Sequence, residues 1–485
     1  MKKIVSVCWL ALLARVLAAQ TPYTEKQYDW LVDKDLVYGT ATNYLGQTDT
    51  LTLDLYTPEN DDPVRPLAVL VHGGSWLSGC KEDMAWLCEE LAARGYMAAT
   101  VNYRKGWHKA AYVPNPINPA TIPWGNCLYA LDSTEILRAI YRGMQDVKGA
   151  IRWLKAREGL QPDCQRAVVV GGESAGAFIA LAVGMLDRPA EKPLACGALP
   201  DAPAPDPKLS NCFAEHCAIL DHALPPGALA RPDLGPVEGS LNQNGLDARV
   251  AGVMSFYGAV PAQALADDWI QGPDTPAMYL YHQTCDGVVP FNAGKPFWAI
   301  SSYCNLGFTP WHDQVPNVYG NGAIASYLAS LPAPPPYQTD FLNCAAFDPN
   351  FALFECIRYN DNGSYHFTHN RPERAVKLSA FFSPIIAAIL ANPPCVAATP
   401  APGWAQGMRV APNPFRQQAY LYCDRPPEHP VRLTLCDARG RECWQDDPVL
   451  HSGANLLSWD VNLPAGLYFL QLAGQQGVTV WKMIK

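Results

Sequence analysis

The sequence is short of charge. Asp, Glu, Lys and Arg make up 17% of its 485 residues, and the net charge of −9 is spread without a basic run. Such a chain lacks the electrostatic footprint that nucleic acid requires, so no nucleic-acid partner is expected. The 44 prolines point to ordered, proline-tethered loops rather than long charged helices. Long apolar runs are equally scarce: beyond the first twenty residues no stretch is apolar enough, for long enough, to span a bilayer. The sixteen cysteines are scattered rather than spaced as metal ligands, so no metal is expected. No internal repeat is evident, which excludes a propeller.

What is present begins with MKKIVSVCWLALLARVLAAQ. A basic start, an apolar stretch and small residues before a polar one predict a secretory signal peptide over 1–19, cut after Ala18 or Ala19. Arg15 is unusual within it, and Cys8 sits too early to be a lipid-attachment site. In an exported chain the remaining cysteines predict disulfides with at least one thiol left over. Cys212/Cys217 and Cys436/Cys443 are near neighbours, but connectivity stays open.

Strand-like stretches (LVYGTATNY, TLTLDLYTP, PLAVLV, YMAATVNYR, VAGVMSFYG, AMYLYHQ) alternate with helical ones (MAWLCEELAARG, STEILRAIYRGMQDVKGAIRWLK, ASYLASL). That rhythm predicts an α/β fold, a mostly parallel sheet with helices on both faces, over 20–395. FECIRY is read as a further strand, followed by a loop. Proline-, glycine- and aromatic-rich stretches near 105–127, 187–247 and 300–345 are expected to be insertions, lid-like or simply solvent-facing. After a linker at 396–406, residues 407–485 change to short alternating runs with Gly turns. They predict a small antiparallel β-sandwich.

One stretch carries the chemistry. In AVVVGGESAGAFIALAVGM a buried strand stops at Ser174 and restarts as an apolar helix. GESAG fits the Gly-x-Ser-x-Gly nucleophile elbow, where glycines let strand and helix approach without Cβ clashes. Ser174 is the candidate nucleophile, and the N–H of Ala175 at the helix start is a candidate oxyanion donor. HGGSW, after the strand PLAVLV, offers the N–H groups of Gly74 and Ser75 for the same task. His72 there is read as a structural hydrogen-bonder, since the base of such a site follows the serine in the chain. Trp76 and Glu173 are candidate substrate neighbours, and Glu173 is also read as a brace for the elbow.

Acid and base should follow in the order Ser…Asp/Glu…His. Asp286 stands just after the strand AMYLYHQ, better placed than Asp267 or Asp268 in their polar loop. His366 in NDNGSYHF is the candidate base, His369 its neighbouring rival, and His312 ranks lower. Trp107, Trp124, Trp298 and Trp311 lie in or beside the insertions, where they serve either stacking on a ligand or packing.

These features, in this order, resemble the α/β-hydrolase superfamily, particularly the hormone-sensitive-lipase-like carboxylesterases with an HGG oxyanion loop. LDLYTP, VHGGSW, ARGYMAATVNYR, QDVKGAIRWLK, VGGESAG and HQTCDGVVPF carry the resemblance over roughly 35–390. It implies Ser174 as nucleophile, His366 as base, Asp286 as its orienter, and Gly74, Ser75 and Ala175 as oxyanion hole. Ser75 stands where many relatives have a third glycine. Type-B esterases share GESAG, but their acid is usually Glu and their other signatures are missing. VAPNPF, LCDARGRE, LPAGLYFLQL and the basic end WKMIK resemble the sorting domain of the type IX secretion system. This implies export to the cell surface or medium and the secretion machinery as a partner. An accessory carbohydrate-binding sandwich is the other reading of that domain.

The expectation is a cofactor-free secreted serine esterase acting on a small-molecule or polysaccharide-linked ester, acetyl and feruloyl esters among them. An amide-cleaving enzyme on the same fold and a non-catalytic binding module are the alternatives.

Overall fold

In the computed structural model of the chain, the residues described are 22–60, 65–109, 130–157, 167–208, 225–261, 270, 275–297, 304, 315–391, 408–411, 418–423, 426–427, 429–437, 442–459, 463–464, 467–474 and 477–485. The chain divides into two compact units, Met1–Leu154 with Arg166–Asn392, and Lys155–Gln165 with Pro393–Lys485. Residues 1–19 and 396–406, Asp267, Asp268, His312, Trp124, Trp298, Trp311, Cys212 and Cys217 lie outside the described residues.

The first unit is built on eight strands: β1 (Trp30–Thr42), β2 (Thr48–Pro58), β3 (Leu67–Val71), β4 (Met97–Val101), β5 (Val168–Glu173), β6 (Gly252–Phe256), β7 (Ala277–Gln283) and β8 (Tyr337–Leu342). They lie in the order β1-β2-β4-β3-β5-β6-β7-β8. Only β2 runs against its neighbours; every pair from β4 to β8 is parallel. Among the described residues the α-helices are α1 (Ala85–Ala92), α2 (Thr134–Arg157), α3 (Ala175–Met185), α4 (Asn321–Ser330), α5 (Ala352–Asp361) and α6 (Arg371–Ala391). This is the α/β-hydrolase fold. Among the described residues no helix is long and apolar enough to cross a membrane.

Strand alternation sorts the apolar side chains into two layers. Leu67, Val69, Val71, Val168 and Val170 face one core with residues of α2, α3 and α4. Ala68, Leu70, Val169, Met254 and Tyr279 face the other, with Leu87 and Leu91 of α1 and Leu378 and Phe382 of α6. Both faces of the sheet are therefore covered, which is why its central strands read as unbroken apolar runs.

The 187–247 stretch is ordered where described, and α2 explains why. Arg138 donates to the carbonyls of Ala195, Gly197 and Pro232, Gln145 to those of Leu234 and Pro236, and Arg152 to those of Glu238 and Leu241. These long polar side chains, spaced along one face of α2, satisfy the carbonyls of a chain that has little secondary structure of its own.

Two sequence expectations are corrected here. FECIRY is not a strand: it belongs to α5. Six residues are too few to separate the strand period from the helical one. Asp348 caps the 3-10 turn that leads into α5 by accepting from the N–H of Asn350, while Glu355 pairs with Arg358 three residues on. Both devices favour helix. The eighth strand is instead YQTDFL, inside the stretch read as an insertion at 300–345. Its polar Asp340 hid it, because that carboxylate is buried among Tyr279, Arg374 and Lys377 rather than solvated.

In the second unit, strands β9 (Arg409–Ala411), β10 (Gln418–Cys423) and β13 (Gly453–Ser458) form one antiparallel sheet. Strands β11 (Arg432–Asp437), β12 (Glu442–Asp446), β14 (Leu467–Gly474) and β15 (Gly477–Ile484) form another. Leu421 and Leu457 of the first share one apolar core with Leu433, Leu435, Leu470 and Leu472 of the second, which makes the unit a β-sandwich. Cys436 and Cys443 are not joined to each other.

Candidate active site

The site is built on the carboxyl ends of β3, β5 and β7. Ser174 sits between β5 and α3 with φ 54° and ψ −124°, a conformation that L-residues avoid and that marks a nucleophile elbow. Its N–H donates to the carbonyl of Phe256 at the end of β6 (3.0 Å). The flanking glycines are required by space. A Cβ on Gly176 would lie 2.1 Å from the carbonyl oxygen of Val71, and one on Gly172 would lie 2.4 Å from the backbone of Gly176.

His366 Nε2 lies 2.8 Å from Ser174 Oγ, and His366 Nδ1 lies 2.7 Å from Asp286 Oδ2. Asp286 follows β7, and its side chain is fully buried. Its Oδ1 accepts from the N–H groups of Val288 (2.8 Å) and Val289 (2.9 Å). Burial opposes its ionisation, but the adjacent His366 and hydrogen bonds from His282 and His366 outweigh that. The carboxyl is held below its ordinary range. Tyr257 presses its ring edge-on against His366, with centroids 4.5 Å apart.

The HGGSW loop comes to the same place. A Cβ on Gly73 would be 3.1 Å from the Cβ of Ser174. Gly74, Ser75 and Trp76 all have positive φ (102°, 52° and 57°), a tight left-handed bend closed by Leu77 and Ser78 N–H donating to Gly74 O. Among the described residues the N–H groups of Gly74, Ser75 and Ala175 meet no protein acceptor. The last of these opens α3, whose dipole adds to its pull on negative charge.

The remaining sequence candidates fall differently. Trp76 is 5% exposed, and its ring packs against Phe178 and Trp107. Trp107 is buried as well, at 1%, and is core rather than a stacking platform. His72 is a loop-base residue, its Nδ1 2.7 Å from Gly73 O and its ring stacked on Tyr103. Burial, helped by the charge of Lys105, lowers its pKa to about 4. His369 is exposed and fixed through its backbone N–H to Tyr281 Oη. Glu173 Oε1 accepts from Thr368 Oγ1 (2.7 Å), tying the elbow to the loop of His366. Burial raises its pKa against the opposing pull of Thr368 and Arg371.

Sequence reasoning missed the supports of this loop. Gln283 Nε2 donates to Phe367 O (3.0 Å), and disulfide Cys285–Cys344 ties the start of the Asp286 loop to the end of β8. A second disulfide joins Cys304 and Cys356. The signal for the first group was available, because HQTCDG places His282, Gln283 and Cys285 immediately before Asp286.

Residues 53–120 match the BD-FAE family model. Over 52 residues, 11% of this chain and 12% of the relative, the sequence is 42% identical to isoprenylcysteine alpha-carbonyl methylesterase of Arabidopsis thaliana. Over 89 residues, 18% of this chain and 10% of the relative, it is 29% identical to neuroligin-like protein glit-1 of Caenorhabditis elegans. The matched stretches thus span about a tenth of these curated relatives. Among solved structures, Thermogutta terrifontis esterase 2 phosphorylated by paraoxon is 16% identical, with 69% of this chain and 92% of that one covered and a TM-score of 0.36. A truncated carbohydrate esterase from gut microbiota is 13% identical, with 75% and 98% covered and a TM-score of 0.38.

Proposed function

We propose that the chain is a serine carboxylesterase. The observation that carries this reading is the continuous hydrogen-bonded line from Ser174 Oγ through His366 to Asp286, set at a strained elbow. Ser174 Oγ attacks the ester carbonyl while His366 Nε2 takes its proton. Charge developing on the carbonyl oxygen is met by the N–H groups of Gly74, Ser75 and Ala175; each such donor contributes about 3–4 kcal/mol in comparable sites. The imidazolium, stabilised by Asp286, then protonates the leaving alcohol. Water activated by the same imidazole releases the acid and restores Ser174.

The match to BD-FAE over the HGGSW loop and the stretch shared with a methylesterase support ester over amide bonds. The substrate class proposed is acetyl or feruloyl esters of polysaccharides. Turnover of p-nitrophenyl acetate and feruloyl esters, abolished in Ser174→Ala, is the expected result, with Ser174 labelled by a fluorophosphonate. Faster cleavage of aminoacyl anilides would overturn it in favour of an amidase. Absence of labelling would favour a binding module.

The proposal extends to location. Residues 1–19 act as the export signal, and the C-terminal sandwich acts as a type IX sorting domain, supported by VAPNPF, LPAGLYFLQL and the basic end. A fluorescent reporter carrying residues 1–19 and 407–485 should reach the surface of a type IX-competent host. Retention inside the cell would sink this part.

A further inference from the structure

Asp286 is approached by a second histidine. His282, on β7 four residues earlier, is fully buried. Its Nε2 lies 3.1 Å from Val289 O and 3.3 Å from Asp286 Oδ2. Both neighbours are acceptors, so the ring proton sits on Nε2 and is shared between them. The other nitrogen, Nδ1, is buried without a partner among the described residues. Phe291 meets the ring edge-on at 5.6 Å. The tautomer thus follows from the hydrogen-bond network.

We propose that His282 is a positioning residue: its Nε2–H, clamped between Val289 O and Asp286 Oδ2, fixes the carboxylate in the orientation that His366 requires. This rests on the esterase reading of Ser174, His366 and Asp286. With His282 in place the carboxylate oxygens receive N–H groups from Val288, Val289, His366 and His282. Oδ1 is held by backbone, while Oδ2 is held by two side chains. Val289 thereby has a double role, since its N–H fixes one oxygen of Asp286 and its C=O fixes the histidine that holds the other. Without His282, Oδ2 would depend on His366 alone, the group that changes charge during turnover.

The titratable groups facing this cluster come from three directions. His366 lies on the loop after α5, Tyr359 lies on α5 itself, and Glu173 and Tyr257 lie beyond His366 on the ends of β5 and β6. None of them donates to Asp286 except His366, so none can replace His282.

The test compares His282→Leu, which removes the donor, with His282→Gln, whose carboxamide N–H reaches the place of Nε2. For p-nitrophenyl acetate, the leucine variant should lose kcat about tenfold or more with KM within about twofold. The low-pH edge of its kcat/KM profile, which reports protonation of the catalytic base, should rise by up to about one unit, because the charge of Asp286 is then no longer shared with a second side-chain donor and acts on the imidazolium alone. The glutamine variant should recover both. A leucine variant with the wild-type edge, or a glutamine variant no better than leucine, would overturn the proposal, since packing alone moves stability and not the edge. Should the leucine variant fail to fold, 15N-histidine NMR of the wild-type chain at about pH 8, where histidine is ordinarily neutral, decides the matter. The His282 ring must show the Nε2–H tautomer, and an Nδ1–H ring would refute it. Lack of any Ser174-dependent turnover in the wild type would instead indict the esterase reading, while the NMR result would still judge the clamp.

Discussion

The N–H of Gly287 donates to the carbonyl of Ser364 at 2.9 Å. One residue before Gly287 is Asp286 and two after Ser364 is His366, so the two loops that bring Asp286 and His366 to Ser174 are joined through their backbones. Disulfide Cys285–Cys344 anchors one side of this unit to β8, and Gln283 anchors the other by bonding Phe367 O. Replacing Cys285 and Cys344 together by Ala should lower stability by about 2–4 kcal/mol. It should also lower kcat for p-nitrophenyl acetate more than it changes KM, because the loop that loosens carries Asp286. Thermal unfolding and steady-state kinetics of the double variant check this; an unchanged kcat beside a lowered Tm would confine the disulfide to stability.

Asp286→Asn makes a sharper prediction. The N–H groups of Val288 and Val289 both point at Oδ1, so the amide must place its oxygen there and turn its NH2 towards His366 Nδ1. Donor would then face donor. His366 escapes only by leaving Nδ1 bare and carrying its proton on Nε2, opposite Ser174 Oγ, where a base is needed. The expected loss in kcat is about 10⁴-fold, with the fold intact by circular dichroism. A loss below about tenfold would mean that Asp286 does not set the tautomer.

Glu173 provides a pH test. Its carboxyl has a raised pKa in the folded chain, from 4.5, chiefly through burial. Between that ordinary value and the raised one, the folded state binds more protons than the unfolded state. Stability therefore declines as pH climbs through this window. Glu173→Gln removes that slope while keeping an acceptor for Thr368. The Tm of the variant relative to wild type should grow as pH rises above the ordinary glutamate value. A difference that stays flat or shrinks would show that the carboxyl is not penalised by its surroundings.

Much of this site was legible because the chemistry imposes local rules. GESAG reads as an elbow since only glycine tolerates the approach of α3 to β3, and HQTCDG reads as an acid turn because it ends an apolar strand. The order Ser…Asp…His then narrowed the histidine to His366 and its rival His369, and it is His366 that lies against Ser174 Oγ. What sequence hid was tertiary. YQTDFL looked like loop because Asp340 is buried against an arginine and a lysine contributed by α6. FECIRY looked like a strand because six residues are too few to separate the two periods. Nothing local reveals that Trp76, at the end of three successive positive φ angles, has its ring buried.

That bend yields the last prediction. Ser75 holds φ 52°, a left-handed conformation that costs a non-glycine residue roughly 1–3 kcal/mol. The side chain makes no hydrogen bond within the described residues, so what this position contributes to the site is its N–H. Ser75→Gly keeps that N–H and accepts the same φ without strain; the entropy glycine adds to the unfolded chain, roughly 0.5–1 kcal/mol, offsets part of the gain. Its kcat should stay within about twofold of wild type and its stability should change little. Ser75→Val retains an N–H too, but a β-branched residue does not tolerate that φ, so the peptide must rotate and its N–H leaves the oxyanion position. The valine variant should lose about 10²–10³ in kcat with labelling of Ser174 slowed in parallel, because both reactions pass through an oxyanion. Equal activity of the glycine and valine variants would show that the donors lie elsewhere in the loop.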